Sequence, residues 1–235
     1  MGVSYDFDGQ VVLVTGASGA LGSAIAEAFA VAGATVCGAD IVAPDDEDAL
    51  VNPSTIEFYQ TDATDEMSVR ETVASVIDDH GRLDALCNIA GTWRGGDPIE
   101  ETAVEEFDML FDVNLKSMFL ASKHAIPHLK ETDGAIVSVS ARSSLEGGEG
   151  DGPYRASKAG VRLLTETIAE ENLGELRANA IMPSVIDTPM NREMMSDADH
   201  EAWVDPEDIA NVAMFLCAGE AEVTSGAAVP VYGEA

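Results

Sequence analysis

Tyr154 and Lys158 stand four residues apart in Y-R-A-S-K, and that spacing puts both side chains on one face of a helix. An ammonium beside a phenol favours the phenolate, so the pair predicts a Tyr154 pKa below its free value of about 10. Such a phenol can pass a proton at neutral pH. Alone, a pair of this kind occurs by chance. A second chemistry is written in T-G-A-S-G-A-L-G at 15–22. Glycines there let the backbone turn tightly and approach a pyrophosphate, which then rests on a helix N-terminus with unspent amides. Gly16, Ser18, Gly19, Ala20, Leu21 and Gly22 form this candidate cradle.

The glycine segment has the context that gives it meaning, with an apolar strand before it, an apolar helix after it, and Asp40 about 20 residues further on. A carboxylate there can accept both ribose hydroxyls of NAD and would repel the extra phosphate of NADP. No Arg or Lys lies near Asp40 and Ile41, so NAD(H) is expected over NADP(H). Asp62 and Ala63 follow the third strand, and Asn88, Ala90 and Gly91 close the fourth. Ligands gather at the carboxyl ends of strands in a doubly wound sheet, which places these residues along the adenine and ribose crevice.

Short apolar runs alternate with amphipathic ones from end to end. Residues 11–15, 35–39, 56–60, 85–89, 135–140, 178–182 and 228–231 read as strands, nearly continuous in Val, Ile and Ala as strands covered on both faces should be. Helices are expected over 21–32, 66–79, 105–130, 154–173 and 206–217, with Asp65 and Asp205 as N-caps and Pro206 in a first turn. The alternation implies right-handed crossovers and an α/β fold, a doubly wound parallel sheet of seven strands with helices on both faces. No linker or repeat interrupts it, so residues 1–235 read as one domain.

The 43 Asp and Glu against 12 Lys and Arg give a formal charge of −31, yet 46% of residues are hydrophobic, which a disordered acidic chain lacks. Nucleic-acid binding needs clustered Lys and Arg and is excluded. Dispersed acid and only four lysines point to a high-salt cytoplasm, where counter-ions screen self-repulsion. No apolar run reaches about 18 residues, and Met1–Tyr5 lacks a basic or apolar leader, so a cytoplasmic protein without membrane partners is expected. Cys37, Cys87 and Cys217 lie far apart in apolar runs and read as reduced core residues. His124 and His128 have helical spacing but no third ligand, so no metal is expected.

Taken together, these motifs resemble the short-chain dehydrogenase/reductase family over essentially the whole length. T-G at 15–16 with Gly22, Asp62, N-x-A-G at 88–91, Asn114 in V-N-L-K, Y-x-x-x-K at 154–158 and P-S-V-I-D-T at 183–188 fall in family order. The resemblance implies a Rossmann fold, hydride exchange with nicotinamide, and a small-molecule substrate. It also implies that Tyr154 moves the proton and Lys158 binds the nicotinamide ribose. Asn114 would hold a relay water, while Pro183, Ile186 and Thr188 would line the nicotinamide and phosphates.

Three departures stand out: Ala20 at the usual middle glycine, Ile89 for the second Asn of N-N-A-G, and Ala141 where the family has its catalytic Ser. Ser140 points to the opposite face of its strand, and Ser143 reaches the site only through an unusual bend. Losing an oxyanion donor typically costs about 100- to 1,000-fold on a carbonyl. A narrower resemblance accounts for it. A-G-T-W-R-G-G at 90–96, S-A-R-S-S-L-E-G at 140–147 and I-D-T-P-M-N-R at 186–192 look like dihydropteridine reductase, which also has the Ala, uses NADH and carries a Trp like Trp93 after the fourth strand. A conjugated imine or quinonoid needs no Ser hydroxyl, and Trp93 could stack on such a ring. Asn114 is not shared with that subgroup and favours an alternative, an alcohol or 3-oxoacyl dehydrogenase; a non-catalytic NAD sensor is the third reading.

Arg94 and Arg192 are scarce cations in expected substrate loops, available to a substrate carboxylate or, more simply, to acids such as Asp97 or Glu193. Residues 187–207 read as a lid, with Met190, Met194 and Met195 as contacts or packing. By resemblance the helices near 105–130 and 154–173 pair into a homodimer or homotetramer, with Ala159, Val161 and Leu164 serving that contact or the core.

Overall fold

Alternation along the strands sets the layers. In β1 (Val11–Thr15), Val12 and Val14 join one apolar cluster while Val11 and Leu13 join another, because successive side chains leave a strand on opposite faces. The computed structural model describes residues 5–234. The other strands are β2 (Thr35–Asp40), β3 (Glu57–Gln60), β4 (Ala85–Asn88), β5 (Ala135–Val139), β6 (Arg177–Pro183) and β7 (Ala228–Val231). They form one all-parallel sheet in the order β3-β2-β1-β4-β5-β6-β7.

One face is covered by α1 (Ala20–Val31) and α7 (Pro206–Cys217) through Ile25, Phe29, Ile209 and Leu216. The other is covered by α2 (Glu66–His80), α4 (Ser117–Leu129) and α5 (Gly152–Glu171) through Val73, Val76, Leu120, Val161 and Ile168. Both faces of the sheet are therefore dry, which is why its strands read as unbroken apolar runs. The three cysteines are buried and free. Val161 is 1% exposed and belongs to the core, so it cannot serve a subunit contact; Phe107, Phe119 and Leu163, at 43%, 47% and 53%, are among the exposed apolar residues of the stretches 105–130 and 154–173.

The stretch expected as one helix over 105–130 is continuously helical, with α3 (Val104–Phe111) passing through a π-turn at Asp112–Lys116 into α4. A π-turn is a single-turn bulge within a helix, so the helical run continues through it. Asp205 occupies the N-cap position of α7 without a side-chain capping bond, whereas Asp65 caps α2 by accepting from the Ser68 N–H at 2.8 Å. No helix among the described residues is long and apolar enough to cross a membrane.

Candidate active site

The sheet order reverses between β1 and β4, and the loops that leave their carboxyl ends meet there. Gly16 follows β1 with φ +71°, and a Cβ at this position would stand 2.7 Å from the Ala90 nitrogen. Glycine thus lets the loop after β4 close onto the loop after β1. Thr15 fixes the same junction, its hydroxyl accepting from the Ile89 N–H at 3.1 Å. Gly22 lets α1 (its first turn holding Ala20, Leu21 and Gly22) sit against the strand turn, since a Cβ there would fall 2.0 Å from the Gly16 carbonyl oxygen.

Gly19 differs. A Cβ there would meet only the Gly16 oxygen at 3.6 Å, an ordinary contact, so nothing in the protein demands glycine. The missing side chain leaves a cradle in front of a helix whose first backbone bond runs from Ser23 N–H to Gly19 C=O at 2.8 Å. Backbone amides facing such a cradle suit an anion. The Asp40 carboxylate at the end of β2 is held by the Ser18 N–H at 2.9 Å and the Val42 N–H at 3.0 Å, beside Ile41. Asp62, with Ala63 next to it, accepts from the Thr64 hydroxyl and N–H at 2.7 and 2.9 Å, which hold its carboxyl below the usual range. Cradle, acid and loop fit a dinucleotide.

Asn88 is 4% exposed, and its side-chain amide donates to the Ser122 and Ser138 hydroxyls at 3.1 and 3.2 Å, bracing α4 and β5 from inside the sheet. Gly91 is open to solvent and stands at the centre of the site: a Cβ there would lie 3.0 Å from Asn114 Oδ1 and 3.1 Å from Lys158 Nζ. The π-turn places Asn114, 1% exposed, against this loop. Its Oδ1 accepts from Thr92 N–H at 2.7 Å, and its Nδ2 donates to Thr92 C=O at 3.0 Å and to Ser157 Oγ at 3.1 Å. The amide clamps the loop after β4 to α5.

Lys158 is buried, and its ammonium donates to the Val139 carbonyl at 2.9 Å. Burial pushes its pKa down to about 8. Tyr154 goes the opposite way from the sequence expectation: burial, then the nearby Asp151 carboxylate, push the phenol up to about 12, with only Arg155 pulling it down. Burial is the leading cause for both groups, and i,i+4 spacing cannot reveal it.

Ala141, 7% exposed, follows β5 in extended conformation. Ser140 is turned away and donates to the Lys158 carbonyl at 2.7 Å, while Ser143 lies on the short turn Arg142–Leu145 with its carbonyl near Arg155. Trp93 is 41% exposed and touches the loop at Gly95. Pro183 ends β6, and Thr188 caps α6 (Pro189–Met194) by accepting from Asn191 N–H at 3.2 Å, with Ile186 bridged to Val204. Arg192 pairs neither with Glu193 nor Asp97; its Nε and Nη2 grip the two oxygens of Asp187 at 2.5 and 2.6 Å. It lines a cleft of about 340 Å³ with Ala20, Ser23, Thr188 and Glu207, at the nucleotide end of the site. Met190, Met194 and Met195 are 64%, 47% and 38% exposed, so they are not packing residues.

Thr15, Thr92, Val139 and Ser157 were not singled out from sequence. Only Thr15, a polar end to an apolar strand, and Ser157, one turn from Tyr154, left any local trace.

The family model described as enoyl-(acyl carrier protein) reductase matches residues 16–233. The chain is 34% identical to the 3-oxoacyl-[acyl-carrier-protein] reductase of Thermotoga maritima, over 96% of this chain and 97% of that protein. It is 32% identical to the meso-2,3-butanediol dehydrogenase of Serratia marcescens, over 97% and 95%. The ligand-free aldohexose dehydrogenase of Thermoplasma acidophilum superposes with a TM-score of 0.89 at 29% identity, covering 99% and 96%. Sequence order, sheet topology and full-length similarity agree, and the chain belongs to the short-chain dehydrogenase/reductase family of nicotinamide-dependent oxidoreductases.

Proposed function

We propose that this protein is an NAD(H)-dependent oxidoreductase that interconverts a small alcohol and its ketone, with Tyr154 as the proton-transfer residue. The carrying observation is the meeting of Asn114 and Lys158 at Gly91, one helical turn from Tyr154. Relatives named for 3-oxoacyl and diol substrates support the alcohol–ketone class. When bound, nicotinamide supplies or accepts the hydride. The Asp40 carboxylate favours ribose hydroxyls over a 2′-phosphate, which supports NAD(H). Of the three N–H groups on Lys158, one goes to Val139, leaving two for ribose hydroxyls and for stabilising a Tyr154 phenolate. Asn114 keeps the loop after β4 in register with α5. The exposed apolar residues Phe107, Phe119 and Leu163 favour a homodimer or homotetramer, and the charge of −31 favours work at high salt in a cytoplasm.

Ala141 supports a second reading, a conjugated imine or quinonoid reductase of the dihydropteridine kind, in which no alkoxide needs a hydroxyl donor. The test is a panel in molar salt with NADH: a cyclic ketone, a vicinal diketone, an acetoacetyl thioester and quinonoid dihydropterin. Ketone turnover is expected, with Tyr154→Phe losing about 100- to 10,000-fold and Ala141→Ser gaining up to about 100-fold. Turnover of the dihydropterin alone would install the second reading. Tight NADH binding with no turnover of any compound would leave an NAD-binding protein without catalysis.

A further inference from the structure

Arg155 follows Tyr154 in the chain, and no part of the chemistry above uses it. Its Nε donates to Asp151 Oδ1 at 2.5 Å, and its Nη1 reaches the carbonyls of Glu146 and Ser143 at 3.3 and 3.5 Å. The two side chains are only 23% and 15% exposed. Gly148 packs on the guanidinium so closely that a Cβ there would fall 2.2 Å from Arg155 Cζ. The loop leaving Ala141 thus wraps around this one cation. Asp151 occupies the N-cap position of α5 but makes no side-chain capping bond, and its Oδ1 accepts from Arg155 instead.

The second substrate-side loop rests on the same acid. A Cβ on Gly95 would stand 3.2 Å from Asp151 Cβ, and the Gly96 N–H donates to Gly150 C=O at 2.7 Å. The loops from β4 and β5 therefore meet at Asp151, one turn before the phenol.

We propose that Arg155 is a positioning residue for Tyr154: it locks the loop after Ala141 onto α5 and neutralises the carboxylate that stands one turn from the phenol. This rests on reading Tyr154 as the proton-transfer residue. The two charges acting on the phenol are Asp151, which opposes its ionisation, and Arg155, which favours it. On the elements packed against α5, Arg142 stacks over the Tyr232 ring, Asp112 and Lys116 pair with each other, and α3 carries Glu105, Glu106 and Asp108. Lys158 shares the helix, with its ammonium on Val139. Among the described residues only Arg155 bonds Asp151 and both carbonyls of the loop at once, which gives this position a demand for a planar cation with several donors.

The test follows the phenol directly. The full chain carries 3-fluorotyrosine, and the Tyr154 fluorine resonance, assigned with Tyr154→Phe, is titrated with and without NADH. Arg155→Met is expected to raise the phenol's proton affinity about tenfold, and adding Asp151→Asn to return it to the wild-type value or below. Arg155→Lys should restore the titration in part but not the loop, so it keeps a raised KM for a substrate found in the panel. An unchanged titration in Arg155→Met overturns the proposal. If that variant does not fold, Asp151→Asn alone decides, since it must lower the proton affinity and an unmoved midpoint refutes the idea. The titration needs no turnover, so an inert substrate panel beside a shifted midpoint sinks the alcohol–ketone reading and spares the electrostatic role of Arg155.

Discussion

Two glycines of the same loop should respond oppositely to alanine, and the contrast separates a glycine the fold needs from one a ligand needs. At Gly22 the added methyl would meet Gly16 O at 2.0 Å, Gly16 C at 2.7 Å and Ala17 Cα at 2.9 Å. All three are backbone atoms, so no side chain can rotate away. Overpacking of this kind costs about 3 kcal/mol, and the gain in helix propensity within α1 returns only about 1 kcal/mol. The net of about 2 kcal/mol corresponds to a melting temperature lower by about 4–8 °C for a chain of this size. At Gly19 the nearest atom is 3.6 Å away and the backbone, at φ −79° and ψ 169°, suits any residue. Stability there should stay within about 1 kcal/mol of wild type, because no side-chain cap is lost. The new methyl would instead project into the cradle, and the Kd for NADH should rise at least about tenfold, or about 1.4 kcal/mol. Scanning calorimetry in molar salt gives the first quantity and a NADH fluorescence titration the second. The reasoning fails if Gly22→Ala melts with the wild type, or if Gly19→Ala binds NADH unchanged.

Two further outcomes can be measured. Burial lowers the Lys158 pKa from 10.5 to about 8, so the charged form costs the folded state on the order of 3 kcal/mol below pH 8. The unfolded chain binds the proton more tightly, and wild-type stability therefore rises as pH climbs from 8 to 10.5. Lys158→Met, after losing about 1 kcal/mol for the unpartnered Val139 carbonyl, should be more stable at pH 7 by about 2 kcal/mol, with an advantage that shrinks over that pH range; denaturant midpoints against pH show whether it does. The melting temperature should also climb as KCl is raised from 0.1 M to several molar, on the order of 10 °C, because screening relieves self-repulsion among the acids. A flat salt response would mean that the charge of −31 carries no salt adaptation.

Much of the frame was legible because it is local. Short unbroken runs of Val, Ile and Ala marked the strands to within a residue or two, and α7 matched its expected bounds. Gly16 and Gly22 announced a tight turn between strand and helix. Where the reading failed, the missing information was non-local or off-period. The π-turn at Asp112–Lys116, which carries Asn114, has no signature in the apolar pattern of an ordinary helix. The end of a strand places Asn88, but only the approach of Ser122 and Ser138 decides which way its side-chain amide turns. Arg192 was free to choose among many acids, and the fold of residues 186–192 chose Asp187.

The order of the motifs by itself determined the family, the parallel doubly wound sheet and the residue types at the site, since each depends on neighbours in the chain or on a period of two or 3.6. Tertiary structure alone decided the electrostatics. Spacing suggested a lysine that lowers its tyrosine's pKa, but burial raises the phenol to about 12 and lowers the ammonium to about 8. Desolvation depends on everything packed around a group, and the Lys158 ammonium is packed against Val139 of β5 and against Gly91 in the loop after β4, both distant from it in sequence.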